Sequence, residues 1–164
     1  MAKRIAVFVD SANVYNSARL KYNGRRIDLE KLLLRIIDGF DLERAFMYGT
    51  LINQNMHKFV SAIQHIGYEP KYLKPYRHGK LVDANMRIAF DVVRLIGRID
   101  IVAIASSDLY MLPCIEWIQE QGIRCTIYGT NIPNELRHAA NNWFEIDESL
   151  LLPETENVPD ATKP

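Results

Sequence analysis

Cysteine is scarce in this sequence, and long apolar runs are missing. Only Cys114 and Cys125 occur among 164 residues, without a CxxC motif or a nearby pair of histidines. This pattern indicates neither a disulfide framework nor a zinc site, and it fits a reducing cytoplasm. The first apolar run, residues 5–9, is too short for the core of a signal peptide, and no run approaches the length of a membrane span. We therefore expect a cytoplasmic protein with no membrane partner.

Net charge is also missing, because 20 Lys and Arg residues balance 20 Asp and Glu residues. A formal charge of zero gives no whole-molecule attraction to a polyanion, so a nucleic-acid partner would require local basic patches. The chain also lacks a GxGxxG after its first strand, a P-loop GK[ST] and a GxSxG elbow. These absences argue against dinucleotide binding, P-loop phosphate binding and acyl transfer.

The sequence does contain an alternation of strands and helices, repeated about five times. Residues 5–9 form a continuous apolar run, and residues 99–105 are apolar except for Asp100; such runs are typical of buried strands in a parallel sheet. Glycines follow several amphipathic segments where helices are expected to end. The pattern predicts an α/β fold with a mainly parallel, Rossmann-like sheet covered on both faces. We expect a single domain over residues 1–150, followed by a disordered, acidic, proline-containing tail over residues 151–164.

Three aspartates lie where the predicted strands and helices begin or end. Asp10 directly follows the first buried strand, Asp108 follows the strand at 99–105, and Asp83 opens a predicted helix. Because ligands bind beyond the carboxyl ends of parallel strands, we expect these three carboxylates to share one edge of the sheet. Clustered carboxylates without Cys or His favour Mg²⁺ or Mn²⁺. Such an ion supports hydrolysis of phosphodiester bonds.

Structural roles compete with this interpretation at several positions. Asp83 and Asp108 are each suited to cap a helix. Asn13 is suited either to orient a water or phosphate through its amide or to satisfy loop backbone. Asp91 lies eight residues after Asp83 with Arg87 midway, a spacing more typical of a solvated ion-pair face than of an auxiliary site acid.

Aromatic and basic residues alternate in the segment 68–80, YEPKYLKPYRHGK, which leads directly to Asp83. Single-stranded nucleic acid is bound by this combination, because bases stack on rings while phosphates meet cations. The alternative is an edge strand and surface loop whose lysines prevent strand pairing. The candidate nucleic-acid-binding residues here are Tyr72, Lys74, Tyr76, Arg77 and Lys80.

Several ordered blocks of the sequence resemble one known family. Residues 7–15, VFVDSANVY, resemble the opening motif of the NYN domain, the LabA-like branch of the PIN-like nucleases. Residues 80–83, KLVD, resemble that family's entry to an acidic helix, and residues 106–113, SSDLYMLP, resemble its third block. Residues 122–129 and 134–144 are similar to its last strand and terminal block. The resemblance covers residues 4–148.

The resemblance implies a compact three-layer α/β/α sandwich and a metal-dependent ribonuclease of the endoribonuclease type. Asp10, Asp83 and Asp108 match the family's acids that hold Mg²⁺ or Mn²⁺, and Asn13 matches its asparagine. Ser107 is expected to position phosphate or water, with RNA as the partner, whereas a homodimer is left open. Tyr110, Ser107 and Asn141 depart from the family pattern, which has Asp, Gly and Asp there. The alternative is therefore a degenerate NYN domain that binds RNA or a protein partner without efficient cleavage.

Overall fold

A six-stranded parallel sheet forms the centre of the computed structural model, which describes residues 1–154. The strands are β1 (Arg4–Asp10), β2 (Asp41–Thr50), β3 (Glu69–Leu73), β4 (Ile101–Ala105), β5 (Arg124–Gly129) and β6 (Asn142–Glu145). The helices are α1 (Ser11–Lys21), α2 (Leu29–Ile36), α3 (Met56–Ile66), α4 (Asn85–Leu95), α5 (Leu112–Glu120) and α6 (Asn134–Ala139). Short 3₁₀ turns occupy Arg77–Gly79, Leu109–Met111 and Glu148–Leu150.

The sheet is buried on both faces, as its continuous apolar strands predicted. Along β1, Val7 and Val9 point into a core that contains side chains of α1, α2 and α3. Phe8 points into a second core that contains side chains of α4, α5 and α6. The predicted three-layer α/β/α sandwich is confirmed, and every strand pair within residues 1–154 is parallel.

The strand order, β3-β2-β1-β4-β5-β6, places the two halves of the chain on either side of the β1–β4 pair. The chain leaves β1 toward one face of the sheet and leaves β4 toward the other, so a crevice opens beyond the carboxyl ends of these two strands. Asp10 ends β1, and residues 106–108 follow β4. The fold therefore brings these two polar segments together at the position where ligands bind in such sheets.

Local sequence signals account for several helix boundaries. Asp28 caps α2 by accepting a hydrogen bond of 3.0 Å from the backbone N–H of Lys31. Gly67 follows α3 with a φ of 120°, which favours glycine. The helix predicted to open at Asp83 begins two residues later, at Asn85.

The end of the described chain lies against the fold. Leu151 is buried and forms an antiparallel bridge with Ile27, and the N–H of Leu152 donates to the carbonyl of Arg26 at 2.8 Å. These two leucines, the first residues of the predicted tail, therefore contact the domain, and the division at residue 150 stays a prediction. Residues 155–164 of the predicted tail lie outside the described residues. Among residues 1–154, no helix combines the length and apolarity needed to cross a membrane.

Candidate functional site

Asp10 is a buried carboxylate at the carboxyl end of β1, with only 8% of its surface exposed. It also caps α1, because its Oδ1 accepts a hydrogen bond of 3.2 Å from the backbone N–H of Asn13. Burial, together with the negative charges of Asp108 and Asp83, raises the pKa of Asp10 to about 6, against the opposing Asn13 hydrogen bond. The three predicted aspartates are therefore close enough to interact electrostatically.

Asp83 and Asp108 are joined through one residue that the sequence interpretation did not select, Asn85. The Oδ1 of Asp83 accepts from the backbone N–H of Asn85 at 2.6 Å, and the side-chain Nδ2 of Asn85 donates to Oδ2 of Asp108 at 2.9 Å. Asp108 also accepts from the backbone N–H of Tyr110 at 2.9 Å. Each of the three aspartates thus accepts a local backbone hydrogen bond. Capping was predicted as an alternative for Asp83 and Asp108 but not for Asp10.

Asn13 and Ser107 hold the loops after β1 and β4 together. The Oδ1 of Asn13 accepts from the backbone N–H of Ser107 at 2.8 Å, and the hydroxyl of Ser107 donates to the carbonyl of Thr130 at 2.8 Å. A side chain at Gly129 would collide with the Ser107 hydroxyl. Two roles were considered for Asn13, orienting a water or phosphate and accepting a hydrogen bond from loop backbone. Its Oδ1 performs the second, structural role.

Tyr72 supports the same edge of the sheet from β3. Its hydroxyl donates to Ser11 Oγ at 2.9 Å, and Ser11 in turn donates to the carbonyl of Tyr48 at 2.7 Å. A Cβ at Gly49 would overlap the Tyr72 ring, so the glycine permits this contact. Burial raises the pKa of Tyr72 to about 12. The structure thus places Tyr72, predicted to bind nucleic acid, partly inside the fold.

The basic segment divides into a structural half and an exposed half. Tyr68 is buried, and its hydroxyl donates to the carbonyl of Leu29 at 2.9 Å, so its ring is not accessible for stacking. The exposed half follows β3 and ends where the N–H of Val82 donates to Thr50 Oγ1 at 3.1 Å. This exposed half contains Lys74, Tyr76, Arg77 and Lys80, and the Tyr76 side chain is 57% exposed.

Asp91 lies in a charged network between α4 and the sheet. It is 7% exposed, and its carboxylate accepts from the hydroxyl of Tyr48 at 2.8 Å. Arg94 donates to it at 3.0 Å, and Lys71 Nζ lies 3.8 Å away. Asp91 is therefore ion-paired, as that alternative predicted, but it is buried instead of solvated, and its partners are Arg94 and Lys71 instead of Arg87. The spacing from Asp83 predicted an exposed side chain at position 91. In the fold, the face of α4 that carries Asp91 packs against Tyr48 instead.

Of the residues that depart from the family pattern, Tyr110 lies beside the candidate site and Asn141 lies far from it. Tyr110 is 83% exposed beside Asp108. Asn141 lies near the opposite end of the sheet, where its Oδ1 accepts from the backbone N–H of Cys125 at 2.7 Å. Cys125 pairs with Val102, and Val102 with Ala6, four residues before Asp10. Asparagine at position 141 therefore removes no charge from the candidate site.

The donor chemistry of the site fits a hard divalent cation. Its side chains offer carboxylate and amide oxygens, and the Oδ1 of Asn85 is buried without a hydrogen-bond partner in residues 1–154. Within that same range, no group of three or more His, Cys, Asp or Glu side chains converges closely enough to hold a metal ion as placed. The carboxylates would thus have to turn toward a common point.

Sequence reasoning missed the polar residues that support the carboxylates. Thr130 directly follows β5, so the rule that selected Asp10 and Asp108 would also have selected it. Asn85 was visible as an amide two residues after Asp83. Ser11 and Gly49 gave no comparable signal, since their roles depend on contacts between separate strands.

Comparison with known proteins agrees with the fold. A solved structure of a protein of unknown function, VPA0982 from Vibrio parahaemolyticus, is similar with a TM-score of 0.84 and 26% identity. The match covers 92% of this chain and 97% of that one. No curated protein matches the sequence. The NYN domain, a nuclease-like family, matches residues 4–147, and the chain therefore belongs to the NYN domain family.

Proposed function

We propose that this protein is a Mg²⁺- or Mn²⁺-dependent ribonuclease that hydrolyses phosphodiester bonds of single-stranded RNA in the cytoplasm. One observation carries the proposal. Asp10 is buried at the β1–β4 crevice, and its pKa is raised by burial and by the charges of Asp108 and Asp83. A bound cation would offset both the burial and the repulsion, which explains why three acids are gathered there.

In the proposed hydrolysis, the residues around this crevice have separate roles. Asp10, Asp83 and Asp108 would hold the ion, which when bound lowers the pKa of a water and stabilises the leaving oxygen. Asn13 and Ser107 fix the distance between the loops that carry Asp10 and Asp108, through the hydrogen bond between them. Proximity of this kind matters because small displacements of reacting groups reduce the rate strongly.

The substrate path begins at the exposed half of the basic segment. Lys74, Arg77 and Lys80 are exposed cations that phosphates would meet, and Tyr76 presents an exposed ring for a base. The segment leads along the chain to Asp83, so a strand bound there would extend toward the carboxylates. Tyr72 is assigned to support of the site, since its hydroxyl is held by Ser11.

The decisive experiment compares two substitutions of equal size and charge change. Asp10→Asn is expected to abolish Mn²⁺-dependent cleavage of single-stranded RNA while the protein remains folded. Asp38→Asn removes an exposed carboxylate that precedes β2, at the opposite edge of the sheet, and should leave cleavage unchanged. Cleavage by Asp10→Asn at the wild-type rate would overturn the proposal.

A second candidate function is RNA binding without cleavage. Tyr110 replaces a family acid beside Asp108, and within residues 1–154 the carboxylates do not converge as a preformed metal site. This candidate predicts a gel shift with RNA and no turnover in either Mg²⁺ or Mn²⁺. Turnover that depends on Asp10 would exclude it.

A further inference from the structure

Asn85 connects two of the three aspartates and leaves one of its own atoms unsatisfied. As the first residue of α4, it donates its backbone N–H to Asp83 Oδ1 at 2.6 Å and its side-chain Nδ2 to Asp108 Oδ2 at 2.9 Å. Its side-chain Oδ1 is buried and has no hydrogen-bond partner among residues 1–154.

The orientation of the Asn85 amide follows from its partner. An ionised carboxylate accepts hydrogen bonds and donates none, so Asp108 requires the Nδ2 side of the amide. A reversed amide would set two oxygens against each other. The Oδ1 atom is therefore directed away from the Asp108 oxygen that Nδ2 contacts.

A buried acceptor without a donor is unfavourable and rare in folded proteins, so it calls for a partner. Among residues 1–154, only two other buried side-chain atoms share this condition, Arg25 Nε and Thr130 Oγ1. The other two guanidinium nitrogens of Arg25 are bonded to Glu148 and Leu152. Thr130 instead belongs to the candidate site, since its carbonyl accepts from Ser107. Two of the three unsatisfied atoms thus belong to residues that hydrogen-bond to the candidate site, Asn85 to Asp108 and Thr130 to Ser107.

An amide carbonyl oxygen is a ligand that hard divalent cations accept readily. It also adds a donor atom without adding negative charge to a site where the acids already repel one another. No hydrogen-bond donor in residues 1–154 meets the Asn85 oxygen, and the same residue contacts Asp83 and Asp108, two of the carboxylates that would attract a cation.

We propose that Asn85 is a metal ligand through Oδ1, completing the set formed by Asp10, Asp83 and Asp108, while its Nδ2 holds Asp108 in position. This inference depends on the proposed function, because it assumes that the carboxylates bind Mg²⁺ or Mn²⁺. The inference adds a neutral oxygen ligand to the site. With this ligand, three aspartates would be enough to bind the ion, although the family pattern has more acids.

The test measures Mn²⁺ binding to the full chain by isothermal titration calorimetry, with no RNA present. Asn85→Ala removes the carbonyl oxygen, and affinity is expected to fall ~10-fold or more. Asn85→Asp keeps an oxygen at the same place but loses the donor to Asp108, and affinity is expected to stay within a few-fold of wild type or to increase. Asn142→Ala and Asn142→Asp, at an exposed asparagine that begins β6, serve as matched controls and should bind as wild type does.

The outcomes separate this inference from the proposed function. Wild-type affinity in Asn85→Ala would overturn the role of Asn85 and leave the metal site intact. An equal loss in Asn85→Ala and Asn85→Asp would also overturn it, because the residue would then act only by holding Asp108. Absence of Mn²⁺ binding by the wild-type protein would instead overturn the proposed function and the inference with it.

A measurement on the wild-type protein covers the case in which the Asn85 variants do not fold. In crystals soaked with Mn²⁺, an anomalous peak in direct contact with Asn85 Oδ1 would support the assignment. A peak held by Asp10, Asp83 or Asp108 without Asn85 would overturn it.

Discussion

The side-chain oxygen of Asn13 accepts a hydrogen bond of 2.8 Å from the backbone N–H of Ser107, across 94 positions of sequence. Asn13 lies in the first turn of α1, and Ser107 lies in the loop after β4. The bond therefore joins the two chain segments that leave the sheet in opposite directions at the β1–β4 crevice. It also fixes where Asp10 and Asp108 stand relative to each other.

Removal of the Asn13 side chain should cost both stability and activity. Asn13→Ala leaves the N–H of Ser107 without its partner, so the free energy of unfolding should fall by about 1–2 kcal/mol. Cleavage of RNA should fall as well, because the two loops are no longer tied together. Denaturant unfolding and single-turnover cleavage measure the two effects. Asn16→Ala, at an exposed residue of the same helix, is the control, and equal behaviour of both variants would contradict the prediction.

The raised pKa of Asp10 predicts how the metal-free protein responds to pH. Because the folded-state pKa is about 6 against an ordinary value of 3.8, the folded protein holds this proton more tightly than the unfolded chain does. The contribution to stability is fully present below about pH 4 and is lost as the pH rises through about 6. It amounts to about 3 kcal/mol for this group.

Asp10→Asn should remove this dependence, since an amide carries no proton to lose. Unfolding in urea with EDTA, measured between pH 4 and pH 8, should show a flatter stability curve for the variant and a higher stability than wild type at pH 7. Asp38→Asn should follow the wild-type curve. Parallel curves for wild type and Asp10→Asn would show that Asp10 does not titrate in this range.

Asp91 is predicted to be important for stability but not for cleavage. Tyr48→Phe removes the hydroxyl that donates to Asp91 at 2.8 Å inside the fold and should cost about 1–2 kcal/mol. Arg94→Ala removes an ion pair in which the arginine side chain is 74% exposed, and should cost under about 1 kcal/mol. The rate of Mn²⁺-dependent cleavage per folded molecule should be unchanged in both. If Tyr48→Phe were fully folded but lost most of its cleavage activity, Asp91 would have to be counted among the residues needed for catalysis.

The sequence was sufficient for features that depend on local chemistry. Helix α3 ends at Ile66 directly before Gly67, as expected for a glycine after an amphipathic segment, because helix periodicity and a positive-φ glycine both act within a few residues. The parallel sheet followed from continuous apolar strands. The placement of Asp10 at the crevice followed from its position directly after one of them.

Features that depend on contacts between distant segments could not be predicted from the sequence. The order of the strands and the Asn13–Ser107 bond require contacts between segments about 90 residues apart. Tyr72 has the alternating pattern of a half-exposed edge strand, and only the glycine at position 49 on the neighbouring strand lets its ring pack inward. Asp91 looked solvated because its partner, Tyr48, lies 43 positions away.

The exposed half of the basic segment should determine RNA affinity through its charges and its ring separately. Removal of Lys74, Arg77 and Lys80 together by alanine should weaken RNA binding and reduce the dependence of log K on log salt by about 0.7 for each phosphate that the protein no longer neutralises. Tyr76→Ala should weaken binding by about 1–3 kcal/mol with little change in that slope, because stacking releases no counterions. Fluorescence anisotropy with a labelled single strand, repeated at several salt concentrations, distinguishes the two effects.

Arg124 provides the control for this prediction. It is an exposed cation at the start of β5, at the edge of the sheet opposite the crevice, so Arg124→Ala should leave both the affinity and the salt slope unchanged. An equal decrease for Arg124→Ala and for single alanine substitutions in the basic segment would mean that RNA responds to surface charge in general. A decrease confined to the basic segment would instead mean that a protein of zero net charge binds a polyanion through local separation of its charges.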